Sequence, residues 1–147
     1  MTMAKRILVP LDGEERSEAI VPLVAAVARD AGATVRLLRV YPVPERVEGA
    51  HGRTVEYVDQ AMERLTAEGQ EDLARDGARL TDVPVESVVR FGEPTEEIAR
   101  EAESFAADVI ALIEPARSRL RRLLNPGVAE RVARESSVPT LVLKTVA

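Results

Sequence analysis

At 147 residues, with 46% hydrophobic and 31% charged, the chain has the size and composition of one globular domain that buries a core without metals or disulfides. It has no cysteine, which removes disulfides, thiolate metal sites and thiol nucleophiles. A formal net charge of -5 argues against a general nucleic-acid binder. No run approaches the roughly 18 apolar residues of a membrane span, and the short apolar run after Lys5 and Arg6 is not a signal peptide, so the expected location is cytoplasmic.

Five apolar runs alternate with helical patterns. Residues 6–11 read as the first strand. Ile20, Leu23, Val24, Val27 and Ala31 repeat at helical spacing, Gly32 supplies the stop, and Pro22 is expected to loosen or kink the first turns. Residues 34–40 read as the second strand. Residues 41–54, with their prolines, glycines and His51, read as an open loop. Val58, Met62, Leu65, Leu73 and Leu80 mark a long helix. A third strand at 85–90 leads through Gly92 and Glu93 into a helix with Pro94 at its first position and Ile98, Ala102 and Phe105 on its apolar face. Residues 109–113 form the fourth strand, about 126–136 the fourth helix, and 139–144 the fifth strand. Asn125 is the expected cap of that last helix, with Pro126 following at its first position. The alternation predicts one α/β domain with a doubly wound parallel sheet, helices on both faces and right-handed crossovers.

Residues 7–13, from Ile7 to Gly13, followed by residues 14–19, resemble the opening of the universal stress protein family. Residues 128–132 and 138–143 resemble its closing helix and strand, and Phe91-Gly92-Glu93-Pro94 also fits. The resemblance covers essentially the whole chain. It implies a Rossmann-like five-stranded sheet of order 3-2-1-4-5. Ligands of such sheets sit outside the carboxyl ends of the strands at the switch point. That places Pro10, Asp12 and Gly13 opposite the loop that begins at Ile113.

The family's ATP-binding members carry glycine, two residues, glycine, nine residues, glycine, then serine or threonine. The matching positions here are Ile113, Ala116, Pro126 and Gly127, and none fits the pattern. Side chains at Ile113 and Ala116 would obstruct close backbone approach, and Pro126 lacks an N–H. Asn125, as a cap, would occupy the N–H of Gly127 or Val128, and Glu114 is expected to add negative charge at the mouth. Asp12 reads either as a ligand contact, the role implied by the resemblance, or as a turn residue ahead of Gly13. Val40 reads as core packing or as the flank of a flat ligand.

Arg117, Arg119, Arg121 and Arg122 form a basic cluster, read as a solvated loop or as an anion grip. Arg117 is its best functional candidate because it falls on a basic family position. His51 has no second histidine or cysteine as partner. Ser17 and Ser118 lack an activating base, and the Glu14-Glu15 pair reads as a solvated turn. The expectation is a regulatory binding module, not an enzyme, with no cofactor. The alternative is an adenine-nucleotide binder that takes ATP with magnesium through arginines and the helix start at Gly127 and Val128. The short apolar fifth strand lies at a sheet edge, and the resemblance implies a homodimer through it, with Thr140, Val142 and Lys144 near a twofold axis.

Overall fold

The computed structural model describes residues 5–13, 19–45, 47–114 and 127–144. In chain order these form β1 (Arg6–Pro10), α1 (Val21–Ala31), β2 (Thr34–Tyr41), β3 (Val47–Glu48), a 3-10 turn (Ala50–Gly52), β4 (Thr54–Glu56), α2 (Val58–Gly77), β5 (Val85–Phe91), α3 (Pro94–Phe105), β6 (Val109–Glu114), α4 (Val128–Glu135) and β7 (Thr140–Lys144). The main sheet runs β5-β2-β1-β6-β7, with every pairing parallel. This is the expected 3-2-1-4-5 order.

The strand period of two divides the apolar side chains between two cores. Ile7, Val9 and Leu11 join Val35, Leu37 and the inner face of α1, including Val21, Val24 and Ala28. Leu8, Leu38, Ile110 and Leu112 join Ile98, Ala102 and Phe105 of α3 and Ala129 and Val132 of α4. Both faces of β1 are therefore covered, and its continuous apolar run is the consequence.

Several local expectations change. Pro22 does not kink a helix already under way. The cap of α1 is Ile20 and Pro22 falls in its first turn, where its missing N–H costs no helical bond. The stretch read as open carries a small antiparallel pair, β3 with β4, closed by a Gly49 N–H donated to the Arg53 carbonyl at 2.6 Å. Helix α2 stops at Gly77, and Leu80 is buried beyond it. Helix α4 begins at Val128 with Gly127 as its cap and no side-chain capping bond. Asn125 is thus two residues ahead of the cap position, and it and Pro126 lie outside the described residues.

Helix α3 is fastened to the sheet partly by charge. Glu101 accepts from Arg36 at 2.5 Å and from Arg90 at 2.7 Å, and Glu97 accepts from Arg90 at 3.0 Å. Arg100 also pairs with Glu97. The Arg36 guanidinium lies 4.1 Å from the centre of the Phe105 ring. The hydrogen bond to Glu101, and then that to Glu97, raise the Arg90 pKa against the cost of burial. Removing one partner of a buried pair strands the others. Glu101→Leu is expected to lower stability by about 3 kcal/mol, measured by urea unfolding. Adding Arg36→Met and Arg90→Met should recover most of the loss. A single substitution without effect would show that the pairs do not hold α3.

Candidate functional site

Strand β1 pairs with β6 only at Ile7↔Val109 and Leu8↔Ile110. Its pairing with β2 continues to Pro10↔Leu38, and that of β6 with β7 continues to Glu114↔Lys144. The two central strands therefore part after Leu8, and a cavity of about 370 Å³ occupies the opening. Crossovers leave a parallel sheet in opposite directions at such a switch point, so no loop fills the crevice.

Its floor comes from Pro10, Leu11 and Asp12 after β1, and from Leu38 and Val40 on β2. Leu112, Ile113 and Glu114 of β6 form one side; Pro94 and Ile98 of α3, and Gly127, Val128 and Ala129 at the start of α4, close the rest. The wall is mostly apolar. Its two ionisable side chains, Asp12 and Glu114, are both carboxylates, and no Lys, Arg or His lines it among the described residues.

Of the residues singled out in the sequence, Pro10, Asp12, Val40, Ile113, Gly127 and Val128 come together here. Val40 also packs against the core shared with α3 and α4, so its two readings coexist. Gly13 does not line the cavity. It follows Asp12 at φ 85°, and a Cβ there would sit 2.6 Å from Nη2 of Arg39, so only glycine fits. Glu114 is the last residue of β6 and is buried in the wall, not at the mouth. Ala116, Arg117, Arg119, Arg121, Arg122, Ser17, Ser118, Glu14 and Glu15 lie outside the described residues. His51 falls in the 3-10 turn between β3 and β4. Among the described residues no group of three His, Asp or Glu could hold a metal ion.

Thr140, Val142 and Lys144 lie on β7 at the sheet edge. Val142 packs against the core under α3 and α4, while its neighbour Leu141 is 43% exposed.

Sequence reading missed Leu11, Leu38, Pro94, Ile98, Leu112 and Ala129 as lining residues. Pro94 and Ile98 carried a signal, since the first turn of a helix that follows a strand opens at the carboxyl end of the sheet. It also missed Arg39, which is buried under the Gly13 turn and hydrogen-bonds Tyr41 at 3.3 Å and Asp72 at 3.4 Å. The third omission is Glu93, whose Oε2 accepts the Glu96 N–H at 2.9 Å and caps α3. Its Oε1 lies 3.1 Å from Arg131 of α4.

The Glu96 N–H holds the Glu93 carboxyl below its ordinary pKa, opposed by a small burial cost and helped by the Thr95 N–H and Arg131. A depressed folded pKa contributes stability above the unfolded value and loses it as pH falls through the folded one. The difference in melting temperature between the parent and Glu93→Gln should therefore be constant near neutrality. It should shrink as pH falls below the ordinary value of 4.5. A gap that survives full acidification would contradict the assignment.

The sequence profile of the universal stress protein family matches residues 3–144. The chain is 29% identical over 157 residues to universal stress protein MJ0577 of Methanocaldococcus jannaschii, covering 97% of this chain and 96% of that one. It is 30% identical over 142 residues to universal stress protein MJ0531 of the same organism, covering 95% and 82%. The solved structure of MJ0577 superposes with a TM-score of 0.78 at 27% identity, over 99% of each chain. A universal stress protein in complex with cAMP gives 0.73 at 20% identity, over 99% of this chain and 100% of the other. One from Archaeoglobus fulgidus in complex with dAMP gives 0.61 at 18% identity, over 97% and 100%. At those last two identities the likeness is one of fold. No helix among the described residues is long and apolar enough to cross a membrane.

Proposed function

The chain belongs to the universal stress protein family, and we propose that it is a regulatory binding module whose switch-point cavity takes a small, largely apolar ligand and does not hold ATP tightly. The observation that carries this reading is the chemistry of the wall. Among the described residues both ionisable groups on it are carboxylates, and by the family resemblance Ile113 stands where ATP-binding members carry their first glycine. Among the described residues the wall offers a triphosphate no cationic side chain.

The loss of backbone access acts in the same direction. Removing one or two charge-assisted hydrogen bonds, at about 1.5–3 kcal/mol each, weakens binding by about one to four decades. The capping competition expected from Asn125 is no part of this account, because the cap is Gly127. In this reading the protein is not an enzyme and uses no cofactor.

A second reading has specific support. The family-fold neighbours solved with cAMP and with dAMP hold adenine nucleotides. Here a nucleotide, ATP with magnesium included, would be gripped by Arg117 and its neighbours and by the N–H groups at the start of α4. The module is further proposed to work as a homodimer paired through β7, with Thr140, Val142 and Lys144 near the axis and the exposed Leu141 adding apolar contact. A closed dimer uses the same surface twice.

Native mass spectrometry of the purified protein tests both statements. The expected species is a dimer of about twice the 16.0 kDa chain mass without a nucleotide triphosphate. A monomer at high micromolar concentration would count against pairing through β7. One ATP mass per chain would favour the second reading.

A further inference from the structure

Two helix starts wall the cavity on one side, α3 through Pro94 and Ile98 and α4 through Gly127, Val128 and Ala129. Among the described ion pairs, Glu93 with Arg131 is the one that joins these helices, at 3.1 Å. The Glu93 carboxylate is fixed through its other oxygen by the Glu96 N–H at 2.9 Å. The residue before it, Gly92, donates to the Tyr41 carbonyl at 2.8 Å. Gly92 has φ 148°, and a Cβ there would meet Glu97 Cγ at 2.9 Å, so the approach to Glu93 is set by packing. On the other side, the Arg131 N–H closes the first turn of α4 on the Gly127 carbonyl at 3.1 Å. The Glu93 charge is thus tied to the backbone of the helix turn that lines the cavity, and Arg131 stands in the turn that follows Gly127.

We infer that Glu93 and Arg131 are positioning residues of the site, a latch that sets the gap between α3 and α4 and so governs access to the cavity. Both side chains are more than a third exposed. An exposed pair is weak and is screened by salt, so the latch opens readily without unfolding either helix. A ligand enters at a rate set by the open fraction, and ionic strength shifts that fraction whatever the ligand's own charge. The inference rests on the cavity being the ligand site, but the gap can be measured with no ligand present.

The absence of cysteine permits a single reporter thiol. Ala129→Cys places it on the cavity wall, and its rate of reaction with methyl methanethiosulfonate, small and uncharged, reads the opening. Two latch-breaking changes preserve local structure. Arg131→Met keeps the stem length, and Glu93→Ser keeps a capping oxygen on α3 but is too short to reach Arg131. Each is expected to speed labelling by about two- to fivefold, the scale of an exposed pair. The two together should do no more than either alone, because they break one contact.

Sodium chloride at about 1 M, where screening acts over roughly 3 Å, should speed labelling of the parent reporter and leave both variants unchanged. Arg131→Lys should restore part of the protection. Ala102→Cys, in the core under α3 and away from the cavity, reads general loosening and should not respond. Unchanged rates at Ala129→Cys would overturn the inference. So would independent, additive effects of the two changes, or equal acceleration at both thiols. None of these outcomes depends on whether the module binds ATP.

Discussion

Everything about the site depends on where β1 and β6 stop pairing. They share two residue pairs, ending at Leu8↔Ile110, although each continues alongside its other neighbour. Beyond that point backbone polar groups of both strands face a crevice. Pro10, Leu11 and Asp12 leave on one side and Leu112, Ile113 and Glu114 on the other. On its other side β1 stays bonded to β2 one residue beyond the strand, where Leu11 donates to the Leu38 carbonyl at 2.8 Å. The floor of the cavity is therefore held by the sheet itself. The two helix starts close the rest of it.

That division of labour explains the distribution of charge. The inner helix α1 buries Val21, Val24, Ala25 and Ala28 against the sheet. Helix α3 uses Ile98, Ala102 and Phe105 for the same purpose but turns Glu97 and Glu101 toward Arg36 and Arg90. Charged pairs are directional where apolar contact is not, so they fix the rotation of α3 about its axis. That rotation decides that Pro94 and Ile98 face the cavity. The Glu93 contact to Arg131 then ties the second wall to the first. The same carboxylate caps a helix, joins two helices and stands at the edge of the candidate site.

The frame was legible from periodicity and punctuation. The apolar run of β1 signalled a strand covered on both faces, Gly32 marked the end of α1, and Pro94 marked the start of α3. These are local effects, decided by backbone sterics within a few residues. The hairpin of β3 and β4 was not legible, because prolines and glycines dominate the reading of a segment whose pairing depends on a backbone bond from Gly49 to Arg53. The cap of α4 was misplaced for a related reason. Asn125 and Pro126 make a strong local signal, yet Gly127 holds the cap position. Within the site, Asp12, Val40 and Ile113 could be found because they lie at or just beyond the carboxyl ends of strands near the switch point. Glu93 with Arg131, and Arg39 under Gly13, could not, since those contacts join residues far apart in the sequence with no spacing rule to announce them.

The central claim is that this cavity keeps a floor suited to a small ligand while its walls give no benefit to a polyphosphate. Isothermal titration with adenosine and with magnesium-ATP, on the same preparation at one ionic strength, isolates the contribution of the phosphates. The account predicts that ATP binds no more tightly than adenosine. If ATP instead binds more tightly by about a hundredfold, equivalent to roughly 2.7 kcal/mol from the phosphates, and Arg117→Ala removes that advantage, arginines have taken the place of the glycine turn and the account is contradicted.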